Sequence, residues 1–162
     1  LSMPQPLSMK INLEDSLDYR WSRFSELSKE LVYEILSLRQ NIFIVEQECW
    51  YQDADGKDLG ALHLTVKNKN ILVAYLRVLE PGASYSEPRL GRIVVKKDYR
   101  GIGLGKKIIN VGKEKCYKLF PNKQIKISAQ IHLQEFYENL GFNRQGEPYD
   151  EDGILHIEMV SP

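Results

Sequence analysis

The segment Arg100-Gly101-Ile102-Gly103-Leu104-Gly105-Lys106-Lys107 places three glycines among three cations, after a strand-like run and before a helical one. Glycine lets a backbone turn tightly and approach a ligand with no Cβ in between. The first N–H groups of a helix lack partners within it, and the helix dipole makes that end favour anions. A glycine turn feeding a helix N-terminus is therefore a phosphate cradle. Charge placement points the same way. Residues 89–126 hold twelve Lys and Arg against Asp98 and Glu114, although the 162-residue chain has no net charge. A basic block in a neutral protein suits a polyanion met at one place, either nucleic acid or a phosphate-bearing cofactor. Solvated helix-face positions account for roughly half of these charges.

Two familiar cradles fail on spacing. A P-loop requires Gly where Arg100 stands and Ser or Thr where Lys107 stands. The dinucleotide fingerprint requires a third glycine where Lys106 or Ile108 stands, and an acidic residue roughly 20 positions on, which is missing. The pattern left is Arg/Gln-x-x-Gly-x-Gly/Ala, met by Arg100, Gly103 and Gly105. A second group of interest is Phe136-Tyr137-Glu138-Asn139-Leu140-Gly141-Phe142, a short helix stopped by a glycine. Phe136 and Phe142 read as core aromatics. Cys49 and Cys116 form neither a metal spacing nor a CxxC pair and read as reduced thiols. Asp53, Asp55 and Asp58 read as a turn-forming acidic loop without calcium-loop spacing after Gly56.

These groups need elements to hold them. Leu31, Ile35, Leu38, Ile42 and Val45 recur at helical spacing after a Ser28 cap, predicting a helix to about residue 45. Residues 19–24 suggest a first strand. Runs 61–67 and 71–79 make a hairpin about Asn68-Lys69-Asn70, and 90–96 is a further strand. A helix over 104–118, a strand over 124–130 and a short helix over 133–140 follow. A last hairpin, 142–148 and 154–160, turns at Asp152-Gly153. The order predicts one α/β (α+β) domain: a mixed sheet with helices on both faces and a right-handed parallel unit across residues 90–130. Residues 1–10 are expected to be a disordered tail or an expression scar, leaving 11–162 as the domain. No apolar run approaches the roughly 20 residues of a membrane span, and no signal-peptide core is present, so a cytoplasmic location is expected.

Several separated segments, in order, carry a family resemblance. They include Arg39-x-x-Ile42-Phe43-x-Val45-Glu46-Gln47, Tyr51-Gln52-Asp53-x-Asp55-Gly56 and Gly91-Arg92-Ile93-Val94-Val95. They continue through Ala129-Gln130-x-His132-Leu133 to Glu151-Asp152-Gly153-Ile154-x-His156-Ile157-x-Met159. With the glycine loop and the Phe136–Phe142 segment, the chain from about residue 19 to 160 resembles the ElaA-like branch of the GNAT N-acetyltransferase superfamily. The resemblance implies a centrally splayed sheet and acetyl-coenzyme A as co-substrate, with no metal. It places the pyrophosphate on Arg100, Gly101, Ile102, Gly103, Leu104, Gly105 and Lys106. It places the pantetheine arm on the backbone of Ile93, Val94 and Val95, one of whose N–H groups would polarise the acetyl carbonyl. It points Tyr137 at the departing sulfur.

An alkylamine is only about 0.04% neutral at pH 7, so a base or a water chain to one is expected. Glu46, His63, His132 and His156 are candidates, with Glu46 and His132 first; pairing with Arg39 and core burial are the competing roles. The expected reaction is direct transfer of acetyl to a primary amine, on a small molecule or peptide. A coenzyme-binding module without turnover is the main rival. A nucleic-acid binder ranks below it, since the basic block carries little aromatic interleaving beyond Tyr99 and Tyr117. No membrane partner is expected, and a homodimer stays open.

Overall fold

Every position of β3 (Ile71–Leu79) from Leu72 to Val78 is buried, as a strand must be when both faces of its sheet are covered. In the computed structural model the described residues are 16–82 and 85–162; the expected tail over 1–10 lies outside them. Around β3 runs a seven-stranded sheet in the order β1-β2-β3-β4-β5-β7-β6. Its other strands are β1 (Leu17–Arg23), β2 (Leu62–Asn68), β4 (Arg89–Val95), β5 (Ile125–Gln130), β6 (Asn143–Glu151) and β7 (Ile154–Ser161). All neighbours pair antiparallel except β4 and β5. The hairpin turns are left-handed at both tip residues, Lys69 (φ 48°) and Asn70 (φ 71°), then Asp152 (φ 52°) and Gly153 (φ 82°). That is the geometry whose twist matches the strands it joins.

One face of the sheet carries α2 (Leu104–Leu119), whose Ile108, Ile109 and Cys116 join Leu76, Leu90 and Ile127 in the larger core. The approach is close at Gly112. A Cβ there would meet Leu90 at 3.2 Å and Leu76 at 3.3 Å. The other face carries α1 (Lys29–Gln40), capped by Ser28 Oγ accepting from Leu31 N, with Ile35 and Leu38 over Leu72, Tyr75 and Val94. The helix runs on through residue 46 as expected, but as a π-helical segment, Asn41–Glu46. Bonds to the fifth residue rotate the helical register, so Val45, read as part of the apolar stripe, stands 67% exposed. Phe136 likewise lies at the surface rather than in the core, while Phe142 is buried as expected.

β4 carries a bulge. Arg77 pairs with Gly91 and Tyr75 with Val94, so two steps on β3 face three on β4. Arg92, at φ 48°, absorbs the extra residue. An inserted residue inverts the strand's alternation: Leu90 joins the core under α2, whereas Val94, four residues on, packs under α1.

Candidate active site

β4 and β5 form a single residue pair, Arg89 with Lys126, beside one bond from Lys126 N to the Pro88 carbonyl at 3.0 Å. Past that point the strands part, and the sheet splays at its centre as the resemblance implied. The gap is the floor of a cleft of about 530 Å³. Ile93 lines it from β4 and Ser128 and Gln130 from β5; Tyr137, His132, Glu151 and His156 also line it. On β4 the bulge removes the residues between Gly91 and Val94 from the β3 ladder. On its other edge, with β5 parted from it, β4 has no strand partner beyond Arg89 among the described residues, which leaves that backbone open to an extended ligand.

Downstream of β4 the chain turns through Gly101 (φ 78°) and Gly103 (φ 82°), the latter capping α2. The first helical bond is Lys107 N to Gly103 O at 3.0 Å. The amides of Leu104, Gly105 and Lys106 precede it and point out of the helix end. A Cβ at Gly105 would touch Val95 Cγ2 at an ordinary 3.7 Å, so Gly or Ala fits there. The left-handed backbone of Gly101 and Gly103 favours glycine itself.

Much of the basic block is structural. Arg89 is bidentate with Glu158, Lys107 lies over Tyr19, Lys115 over Trp21, and Lys113 donates to the Leu140 carbonyl at 2.6 Å. Lys97 and Lys106 remain exposed near the glycine loop.

Tyr137 belongs to α3 (Gln134–Glu138), which ends where Gly141 turns at φ 91° and Phe142 N donates to the Tyr137 carbonyl. Its ring meets Phe136 and Phe142 edge-on, at 5.3 and 5.9 Å between centroids. It is 8% exposed yet lines the cleft. Burial pushes its phenol up to about 12, so the hydroxyl keeps its proton at any physiological pH.

The four candidate bases separate. His132 is exposed on the cleft wall. Glu46 is not among the cleft-lining residues, and it pairs with Arg100 rather than Arg39. Its carboxylate takes both Arg100 guanidinium nitrogens, one at 3.0 Å. That side-chain bond holds it below the usual carboxylate range, the opposite of what a base at neutral pH needs. Arg100 also donates Nε to the Val95 carbonyl at 3.0 Å, so this pair fastens the end of α1 to the glycine loop.

His63 is a satisfied core residue. Nε2 donates to the Asp58 carbonyl at 2.8 Å, leaving Nδ1 to accept from the Tyr75 hydroxyl at 2.7 Å. Burial lowers its basicity. The unfolded chain takes up a proton as pH falls through about 6.5, and the folded one resists it. Stability therefore drops below that pH, by up to about 1.4 kcal/mol per unit until the folded group titrates. Urea midpoints between pH 7 and 5.5 should fall more steeply for wild type than for His63→Gln. Equal slopes would contradict a neutral buried imidazole.

The aspartates are more than a turn. Asp55 does accept from Lys57 N at 3.0 Å. All three also join three arginines in a closed ring of alternating charge. Arg39 holds Asp53 (2.9 Å) and Asp58 (2.7 Å), Arg77 holds Asp58 (2.9 Å) and Asp55 (2.6 Å), and Arg92 holds Asp55 (3.4 Å) and Asp53 (2.8 Å). Burial would raise the carboxyl groups of Asp55 and Asp58, but the arginine contacts hold both below the usual range. The ring ties the loop after α1 to β3 and to the bulge residue Arg92, and it borders the cleft through Asp55, Arg77 and Arg92.

Sequence reasoning gave Arg77 and Arg92 no role. The signal available for Arg92 was the Gly91-Arg92 pair inside an apolar strand, a mark of a bulge.

Comparison with known proteins agrees with this geometry. Residues 26–161 match the acetyltransferase (GNAT) domain family. A UPF0039 protein of Synechocystis is 45% identical over 145 residues, covering 89% of this chain and 94% of its own. Protein ElaA of Escherichia coli is 40% identical over 138 residues, 84% of this chain and 90% of its own. The crystal structure of an acyl-CoA N-acyltransferase from Pseudomonas aeruginosa superposes with a TM-score of 0.87 at 36% identity, over 91% of this chain and 100% of that one.

Proposed function

This chain belongs to the ElaA-like branch of the GNAT acetyltransferase family, and we propose that it moves an acetyl group from coenzyme A directly to a primary amine. The observation that carries the reading is the parting of β4 from β5 after one residue pair, upstream of a glycine-lined helix end. In this reading the pantetheine arm lies along Ile93, Val94 and Val95, and the pyrophosphate rests on the amides of Leu104, Gly105 and Lys106. Gly101, Ile102 and Gly103 shape that turn. Arg100 acts through its ties to Glu46 and Val95, as a brace for the loop. Holding both reactants in one cleft lowers the entropic barrier to direct attack, with no covalent enzyme intermediate. Two free, buried cysteines, Cys49 and Cys116, suit a reducing cytoplasm.

Tyr137 assists the leaving group. Full transfer of a proton from a phenol near 12 to a thiolate of ordinary basicity, about 8.5, is uphill by about 5 kcal/mol. Donating a hydrogen bond to the growing negative charge on sulfur has no such penalty. A charge-assisted bond of about 1.5–3 kcal/mol predicts that Tyr137→Phe loses roughly 10- to 150-fold in turnover with coenzyme affinity little changed. Single-turnover thiol release, alongside calorimetry for coenzyme A, checks both halves; undiminished chemistry would remove the role.

The reading as a whole is tested by an amine panel with acetyl-coenzyme A, reading free thiol. Release that depends on an amine supports transfer, and binding without release across the panel favours a coenzyme sensor.

A further inference from the structure

At the cleft, β5, β6 and β7 bring together Ser128, Glu151 and His156, with Tyr149 against them. In register His156 lies between Gln130 of β5 and Tyr149 of β6, with the Tyr149 ring stacked on it at 6.2 Å and 26°. Its Nδ1 is 2.8 Å from the Ile154 carbonyl. A carbonyl only accepts, so Nδ1 carries a hydrogen, and in the neutral ring the lone pair sits on Nε2. That nitrogen faces Glu151 Oε2 at 3.2 Å. With the ring neutral, two acceptors face each other here, and a donor shared between them completes the arrangement. Glu151 is half exposed to the cleft, while His156 is nine-tenths buried. Ser128 Oγ bonds the Tyr149 hydroxyl and reaches Glu151 Oε2 at 3.4 Å, adding a further oxygen on the same side. The nearby charges are matched: Arg89 of β4 is bidentate with Glu158 of β7, at 2.7 and 2.9 Å.

A primary ammonium carries one positive charge and three N–H donors. It can donate to the Glu151 carboxylate and to His156 Nε2 together, and the carboxylate balances its charge. We propose that Glu151 and His156 dock the ammonium group of the acceptor, and that His156 Nε2 takes one proton from it before attack.

This rests on the acyl-transfer reading above. The proton passes from R–NH3+ to the imidazole, leaving an imidazolium beside the Glu151 carboxylate and a neutral amine. The amine lone pair then forms the C–N bond to the acetyl carbon as the C–S bond breaks. The second nitrogen proton leaves with the thiol, and His156 returns the first to solvent through the exposed carboxylate. The sum is one acetylamide, one thiol and one released proton.

The test uses the full chain loaded with coenzyme A and labelled with 15N-histidine. Propylammonium chloride is titrated at constant ionic strength, with tetramethylammonium chloride as a cation lacking N–H donors. The His156 Nε2 resonance, assigned by its loss in His156→Gln, should shift and saturate with propylammonium and stay unmoved by tetramethylammonium. Glu151→Gln should weaken that binding at least about tenfold, the loss of one charge-assisted bond, while calorimetry shows coenzyme A bound as in wild type. With coenzyme bound normally, no saturable shift, or an equal response to both cations, overturns the docking proposal and leaves acyl transfer standing. Failure of coenzyme A to bind wild type overturns both.

Discussion

Gly103→Glu will fold and will lose coenzyme A, with affinity down at least about 100-fold, because the new carboxylate occupies the place of the pyrophosphate. No atom lies within 4 Å of a Cβ built at Gly103, so the side chain meets open space rather than core. Its cost to the fold is backbone strain at φ 82°, about 1–2 kcal/mol for a non-glycine residue in the left-handed region. A carboxylate at the residue capping α2 can accept from the amide of Gly105 or Lys106, which the diphosphate would also use. It is then an internal competitor as well as a like charge. Two neighbours serve as controls. Gly103→Ala introduces the strain without the anion and should keep most of the affinity. Gly105→Ala adds a methyl at ordinary contact distance from Val95, inside a helix that alanine favours by about 1 kcal/mol, and should melt no lower than wild type. Calorimetry with coenzyme A, read beside thermal melts, decides. Full affinity in a folded Gly103→Glu protein would end the assignment of the cradle.

The shape of the glycine loop was legible because it is in the spacing: glycine takes the left-handed turns at 101 and 103 at least cost, and the helix that follows has a clear apolar stripe. The strands were legible for a similar reason, with 71–76 a continuous apolar run and Ile125–Gln130 strictly alternating. The hairpin turns followed from Asn70 and Gly153.

What was hidden is long-range. Arg39 and Asp53 are 14 residues apart, while Arg77 and Arg92 reach the same loop from other strands, so no local pattern shows that these charges close a ring. Glu46 sits 54 residues from Arg100, and helical spacing gave it no partner there. The π-helical segment that carries Val45 outward and Glu46 toward Arg100 obeys the same apolar pattern as an α-helix until the structure fixes which bonds form. His156 and Glu151 stood within one motif, yet the contact between them exists only because β6 and β7 pair about a two-residue turn.

Arg39→Met will destabilise the fold by about 3–5 kcal/mol, the usual cost of deleting one partner from a buried ion pair. The Arg39 side chain is 1% exposed and binds Asp53 Oδ2, the Asp53 carbonyl and Asp58 Oδ1, at 2.9, 3.1 and 2.7 Å. Methionine fills the volume, so packing is largely kept and the loss is electrostatic: Asp53, 2% exposed, retains only Arg92 and the Tyr51 hydroxyl. Arg92→Met differs in kind. Its side chain is 22% exposed, and each aspartate it touches keeps a second arginine, so a loss of about 1–2 kcal/mol is expected. Its main effect falls on the β4 bulge, and since the pantetheine arm is placed on Ile93, Val94 and Val95, turnover and coenzyme affinity should both drop.

The ring also sets the acid limit. Asp55 and Asp58 are held below the usual carboxylate range, so their stabilisation is full above the unfolded value, about 3.9. It is lost as pH falls through the folded values. Opening the ring at Arg39 removes part of that depression from Asp58, so Arg39→Met should lose less stability than wild type between pH 5 and pH 3. Urea midpoints across that range test the sign. A loss under about 1 kcal/mol at neutral pH, with an unchanged acid slope, would mean that Asp53 and Asp58 find water in place of the arginine, and that the ring fixes the bulge without holding the fold.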